Sequence, residues 1–212
     1  LRARLDTAQD PDAVRRTLGI WLAHRAERVK ATDDAAALAA LEEAIALRKA
    51  LVARNPEDAE AREEYVRALN AFGAFHSEKD RDDKAVARYA EAAEAAAGLP
   101  EGGGRMRLIA LGNQAHVLGR LDRIAESRAV AEQAWILGQR LADGTKADPK
   151  AAEDAARAGL RYARVLRAPP KPQKDQARTV VQQARDRLAG LKGSRAQEIG
   201  KALAELSEEL GR

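Results

Sequence analysis

The residues of this chain that could do chemistry are mainly arginines and histidines. Arg157, Arg161 and Arg164 are spaced i, i+4 and i+7, so a helix would carry all three guanidinium groups on one face. Such a face could grip carboxylates or phosphates in a bidentate manner if it lines a groove. It could equally be a solvated outer face, and the sequence leaves both interpretations open.

The three histidines, His24, His76 and His116, give no sign of a metal site. None belongs to a His-Glu-x-x-His motif, and the chain has no Cys, which excludes thiolate ligands and disulfides. The phosphate-binding motif Gly-x-x-x-x-Gly-Lys-Ser/Thr and the nucleophile motif Gly-x-Ser-x-Gly do not occur either. We therefore expect that the chain is not an enzyme and that it uses no cofactor or metal.

Composition indicates an all-helical protein that could hold such side chains on helix faces. Aromatic residues make up 3% of the 212 residues, too few for a sheet protein, whereas the helix-favouring residues Ala, Leu, Arg and Glu dominate. Clusters of Pro, Gly and Asp divide the chain into segments with helical periodicity. We pair these segments as hairpins 11–54, 58–98, 104–142 and 149–190, followed by a single amphipathic helix over 194–210.

One pattern occurs twice and predicts how the hairpins pack. A large residue and a Gly are followed by a small or apolar residue twelve positions after the Gly and by another seven further on. The two copies, 39 positions apart, are Phe72-Gly73 with Ala85 and Ala92, and Leu111-Gly112 with Ile124 and Ala131. Both glycines are predicted to lie where the two helices of a hairpin touch, and repeated hairpins are expected to stack into a solenoid.

These residues resemble the tetratricopeptide repeat (TPR) family. The residues that carry the resemblance are Gly112-Asn113, Gly119-Arg120-Leu121-Asp122 and Ala131 in one copy, and Gly73, Ala85, Tyr89 and Ala92 in the other. Ala177, Val181 and Ala184 have the spacing of a later copy, without a glycine upstream at the matching distance. The resemblance implies one domain over 1–212, an all-α, right-handed α-solenoid of about four helical hairpins plus a C-terminal capping helix.

The resemblance also implies which surface meets a partner. In that family the first helix of each hairpin lines a concave groove. Carried over by position from Gly73 and Gly112, the groove residues are Arg67, Asn70, Ala74, Ser77, Met106, Ile109, Asn113 and His116. Met106 and Ile109 stand where chaperone-binding members carry basic residues, which argues against a clamp for chaperone tails and favours a groove with an apolar floor.

These expectations favour a module that binds a protein or peptide in a concave groove, as the scaffold or sensor part of a larger signalling protein. The net charge is +4 and the excess of Lys and Arg lies in residues 101–212, so the partner is expected to have an acidic portion. One alternative is self-association through the N-terminal end, because Leu1 and Leu5 look like the tail of an earlier helix. Another is nucleic-acid binding, although scattered aromatics and interleaved acidic residues argue against it.

The first residue and the amino-acid composition suggest where the chain comes from. It begins at Leu1 and not at Met, so we expect a fragment of a longer protein, and abundant Ala and Arg suggest a bacterial source. No run of about 18 apolar residues and no signal peptide is visible in it. We therefore expect no membrane association and a cytoplasmic location.

Overall fold

The computed structural model describes residues 9–100, 103–144 and 148–211, and within these ranges the regular secondary structure is all helical. The helices are α1 (Pro11–Val29), α2 (Asp34–Arg54), α3 (Ala59–Glu78), α4 (Asp82–Ala97), α5 (Gly103–Arg120), α6 (Ile124–Gly144), α7 (Pro149–Arg167), α8 (Lys174–Leu188) and α9 (Ser194–Gly211). Each helix packs on the next, so the first eight form four hairpins. This confirms the expected all-α solenoid with a capping helix.

Aspartates at the breaks in the helical pattern start several of these helices. Asp10 accepts hydrogen bonds from the N–H groups of residues 12 and 13, and Asp148 accepts one from residue 150. In both cases proline follows as the first helical residue, where its missing N–H costs nothing. Asp33 and Asp58 cap α2 and α3 in the same way. The Asp-Pro breaks in the sequence are therefore helix starts.

The odd-numbered helices form the inner layer of the solenoid. In addition to their sequence neighbours, α3 contacts α5, α5 contacts α7, and α7 contacts α9. The first hairpin is attached more loosely, because α2 packs less extensively on α3 than α4 packs on α5 or α6 on α7. The inner layer is thus most continuous from α3 to α9.

Helix α9 closes the C-terminal end of the core. Its four large apolar residues, Ile199, Leu203, Leu206 and Leu210, are buried to 3% exposure or less, against α7 and α8. Its outer face carries the charged residues, as a terminal cap requires. An ion pair between Arg167 and Glu209 ties it to the end of α7.

The turns between α3 and α4 and between α5 and α6 have the same geometry and define the repeat length. The N–H of Arg81 donates to the carbonyl of His76 (2.9 Å), and the N–H of Arg123 donates to that of Leu118 (3.0 Å). The residue before each donor has a positive φ: Asp80 at 53° and Asp122 at 56°. Equivalent residues in these two hairpins are therefore 42 positions apart, and the predicted offset of 39 is wrong.

With the 42-residue repeat, Gly73 and Gly112 no longer occupy equivalent positions, although the sequence pattern aligns them. A Cβ atom on Gly73 would stand 2.7 Å from Cε1 of Tyr89, so Gly73 does lie where α3 and α4 touch. Forty-two positions later stands Ala115. A Cβ on Gly112 would instead meet the guanidinium of Arg161 on α7. The predicted location of Gly112 between α5 and α6 is wrong, because it faces the next inner helix.

Small buried residues occupy the seam, the surface where the two helices of a hairpin touch, at three equivalent positions in every hairpin. On the first helices these are Ala26, Gly73, Ala115 and Ala163. On the second helices they are Ala37, Ala85, Ser127 and Ala177, followed seven residues later by Ala44, Ala92, Ala134 and Ala184. The structure thus contains four equivalent repeats, whereas the sequence pattern predicts two clear copies.

Unequal turns explain why two copies escape the sequence pattern. The hydrogen bond that closes the turn spans five residues in the second and third hairpins. In the first hairpin it joins Asp33 to Val29, four residues back, and in the fourth it joins Gln173 to Leu166, seven back. The turn that contains the proline-rich loop 168–173 is therefore two residues longer than the turns of the second and third hairpins. A sequence pattern with fixed spacing cannot match a hairpin whose second helix begins two residues later.

His76 is buried at the end of α3 among aromatic rings. It is 1% exposed, its ring centroid lies 4.4 Å from that of Phe72, and Nδ1 has no hydrogen-bond partner among the described residues. Burial, and then the positive charges of nearby Lys84 and Arg81, lower its pKa to about 4. The residue is therefore neutral at pH 7, and it is part of the core and not a ligand.

The two glycines should respond oppositely to the same substitution. Gly73→Ala forces the buried Tyr89 ring to move, so we expect a loss of about 1–2 kcal/mol in the free energy of unfolding after the gain in helix propensity. Gly112→Ala displaces only the end of a flexible arginine, so we expect a change between zero and a gain of about 1 kcal/mol. Urea denaturation measures both, and a larger loss for Gly112→Ala would contradict the 42-residue register.

Protonation of His76 should weaken the fold in acid. Its folded pKa of about 4 lies below the unfolded value of 6.5, so its contribution to stability is present above pH 6.5 and is lost as the pH falls toward 4. The equivalent position of the next repeat is Leu118, so leucine fits this environment. The variant His76→Leu should therefore remove this part of the pH dependence of the unfolding free energy. We expect the wild type to lose on the order of 2 kcal/mol more than the variant between neutral pH and about pH 4.5. Equal losses in urea denaturation would exclude the effect.

Candidate functional site

A cleft lies between the inner helices α5 and α7. One part, about 450 Å³, is lined by His116, Arg161 and Arg164 together with the first turn of α6. The adjoining part, about 330 Å³, is lined by Ile109, Asn113, Arg157 and again Arg161. We call the two parts together the α5–α7 cleft. Six of the nine residues predicted to contact a partner therefore come together around one arginine.

The other three predicted residues lie outside this cleft. Arg67 is paired with Glu63 on its own helix and lines a separate, mostly apolar depression of about 210 Å³ between the first hairpin and α3. Asn70 is half-buried and donates to the carbonyl of residue 66. Ser77 accepts hydrogen bonds at its hydroxyl and carbonyl from Arg120, a side chain that also lines the cleft.

Gly112 shapes the middle of the cleft. Because it has no side chain, the guanidinium of Arg161 can lie against the backbone of α5. On the same helix, Asn113 and His116 also line the cleft. The register correction therefore changes the role of this glycine from helix packing to making room for a cleft residue.

Three of the six arginines that line the cleft differ from the other three in forming no ion pair with a described residue. Arg157, Arg161 and Arg164 form no ion pair or hydrogen bond with any residue that the structure describes. Burial, and then the charge of neighbouring Arg157, lower the pKa of Arg161. Burial and the charges of Arg161 and Arg120 likewise lower the pKa of His116, so this ring is held neutral beside the guanidinium groups.

Paired arginines frame the cleft and were not predicted from the sequence. Arg105 donates to Asp154 at 2.7 Å, and Arg195 of α9 pairs with the same carboxylate, which is only 8% exposed. Arg120 pairs with Asp82 at the opposite end. No sequence signal marks these residues, because each pair joins helices 38 to 49 positions apart in a chain rich in both charges.

Metal-binding clusters of side chains and membrane-crossing helices are both absent from the residues that the structure describes. No group of three or more His, Asp or Glu side chains in the described ranges could hold a metal ion. None of the described helices combines the length and the apolar character that crossing a membrane needs. What the cleft offers is positive charge beside an apolar side chain.

Comparison with known proteins gives a fold and no family. No protein-family model matches the chain, and no curated protein matches it in sequence. Among solved structures, BtubC (BKLC) from P. vanneervenii matches 95% of this chain and 89% of its own, with 13% identity and a TM-score of 0.52. The pilF protein of Pseudomonas aeruginosa matches 94% and 88%, with 21% identity and a TM-score of 0.41. The likeness to BtubC shows a shared helical-repeat fold.

Unpaired and paired arginines should respond differently to neutralisation. Arg157→Gln relieves repulsion with Arg161 one turn away, so we expect a gain of about 0.2–0.5 kcal/mol at low salt that shrinks at high salt. Arg195→Gln removes one of the two partners of the buried Asp154 and should cost about 1–3 kcal/mol. Thermal denaturation at two salt concentrations tests this. If Arg157→Gln destabilises as much as Arg195→Gln, Arg157 is a structural residue.

Proposed function

We propose that this chain is a TPR-type interaction module that binds a protein or peptide partner in the α5–α7 cleft, as the scaffold or sensor part of a larger protein. The observation that carries the proposal is the convergence of six of the nine residues predicted to contact a partner on one open cleft of the inner layer. Within this proposal the chain binds and does not catalyse.

The cleft combines two features that protein partners use. Ile109 is 45% exposed at its edge, and a large exposed aliphatic beside a depression can anchor an apolar side chain. The three unpaired arginines next to it would steer and orient an acidic portion of the same partner. An apolar anchor beside directional charge supports recognition of a peptide or protein segment.

Self-association is a second candidate; Leu1 and Leu5, which suggest it in the sequence, lie outside the described residues, but one observation on α1 favours it. Ile20 and Trp21 are 43% and 47% exposed on α1, the helix at the N-terminal end of the described solenoid. A second copy could cover them. Nucleic acid is favoured less, because His116 is the only aromatic-type ring among the residues that line the described cleft.

A matched pair of isoleucines tests where the partner binds. Ile109 and Ile136 are 45% and 42% exposed, the first in the cleft and the second on the outer helix α6. We expect a partner captured from lysate of the source organism by the wild type to bind Ile136→Asp equally. It should bind Ile109→Asp at least about tenfold more weakly, through loss of the apolar anchor. Affinities are measured with the purified partner.

Light scattering of each protein at the capture concentration separates a foreign partner from a second copy. Circular dichroism checks that both variants are folded. If the partner binds Ile136→Asp more weakly than the wild type and binds Ile109→Asp equally well, it binds the outer face and the cleft proposal is wrong.

A further inference from the structure

Three guanidinium groups that line one cleft form no ion pair with a described residue, and the carboxylate of Asp154, which lines the same cleft, is already paired with Arg105 and Arg195. By contrast, the nearby Arg105, Arg120 and Arg195 all pair with aspartates. Because Arg161 is partly buried between Arg157 and Arg164, holding all three charged raises the free energy of the empty protein. A cluster of this kind is stabilised when an anion enters it.

The charge and shape of the cluster fit a dianion better than a single carboxylate. Arg161 belongs to both parts of the cleft, with Arg157 in one and Arg164 in the other, so a group at the centre is approached from both sides. A carboxylate would offset one of the three charges. A phosphoryl group carries about two negative charges at neutral pH and three acceptor oxygens, which suit several guanidinium forks at once.

Three neighbouring features add to this preference. Ile124 and Ser127, in the first turn of α6, line the same cleft, and the positive end of a helix dipole favours an anion. Gly112 leaves the space in which the Arg161 guanidinium lies, so the group is positioned before any ligand arrives. His116, neutral beside Arg161, can donate or accept a hydrogen bond at the rim.

We propose that the α5–α7 cleft recognises a phosphorylated serine or threonine side chain of its protein partner, with Arg161 at the centre and Arg157 and Arg164 on either side. This inference rests on the proposed function, because it takes the cleft to be the partner site. Ile109 then meets an apolar residue near the phosphorylated one.

Peptide pools test the inference without knowledge of the partner's sequence. Fluorescein-labelled short peptides carry a central phosphoserine, serine or glutamate between positions randomised over Ala, Leu, Asn, Gly and Thr. Fluorescence anisotropy is measured in phosphate-free buffer near physiological ionic strength, where long-range attraction is screened. We expect the phosphoserine pool to bind at least about tenfold more tightly than the serine and glutamate pools.

Variants assign this preference to the cluster. Arg161→Gln and the more exposed Arg164→Gln should each reduce the preference about tenfold, and Gly112→Ala should weaken it by displacing Arg161. Arg140→Gln is the matched control, since Arg140 is an exposed arginine on α6 outside the cleft, and it should change nothing. Circular dichroism confirms that each variant is folded.

Three results would overturn the inference. If the glutamate pool binds as tightly as the phosphoserine pool, the cleft takes carboxylates. If single-stranded DNA displaces the bound phosphoserine pool as well as unlabelled phosphoserine peptide does, the cleft is a general polyanion surface. No preference for phosphoserine in the wild type would mean that the arginines are simply solvated. If the partner captured through Ile109 is still bound in any of these cases, the cleft remains a partner site and only its phosphoryl specificity is lost.

Discussion

Close approach of paired helices depends on side chains no larger than alanine or serine at three buried seam positions in each hairpin. A larger side chain on one helix of the hairpin requires a smaller one on the other. Where the second helix carries the large Tyr89, the first helix must carry Gly73, since even a methyl group would collide with the ring. At the equivalent seam positions of the other hairpins, alanine stands opposite Leu41, Ala131 or Val181, which are smaller. The continuous core follows from this one constraint.

The same constraint leaves the opposite face of each inner helix open to other uses. On α5 the seam is fixed by Ala115, which accepts a hydrogen bond from Ser127 at 2.7 Å, while Gly112 and His116 are turned toward α7. Residues on that face do not hold the hairpin together. Unpaired Arg161 can therefore stand there at some cost in stability, which agrees with the proposed binding role.

The sequence predicted the fold well and the site in part. Helical composition, breakers and periodicity were sufficient for four hairpins and a cap, because these signals are local. The predicted repeat register was wrong by three residues, because Gly112 has the sequence context of Gly73 but contacts a different helix. The first and fourth repeats escaped the pattern because their turns differ in length. Ile109, Asn113 and His116, carried over from Gly112, still line the cleft, since three residues is close to one helical turn and keeps the same face. The arginine stripe on α7 was predicted from its own spacing, which left open whether it faces a groove or solvent. The ion pairs of Asp154 could not be predicted, because they join distant helices.

The capping helix does two things at once, and this limits how the array can grow. Arg195 of α9 lines the α5–α7 cleft and holds Asp154, while Leu203 and Leu210 of the same helix close the core. An additional hairpin inserted between α8 and α9 could keep the apolar interior continuous, because each repeat needs only its neighbours. It would also carry Arg195 away from Asp154 and open that end of the cleft. The length of the array and the shape of the cleft are therefore coupled, and a duplication that lengthens the solenoid there would alter the surface proposed to bind a partner.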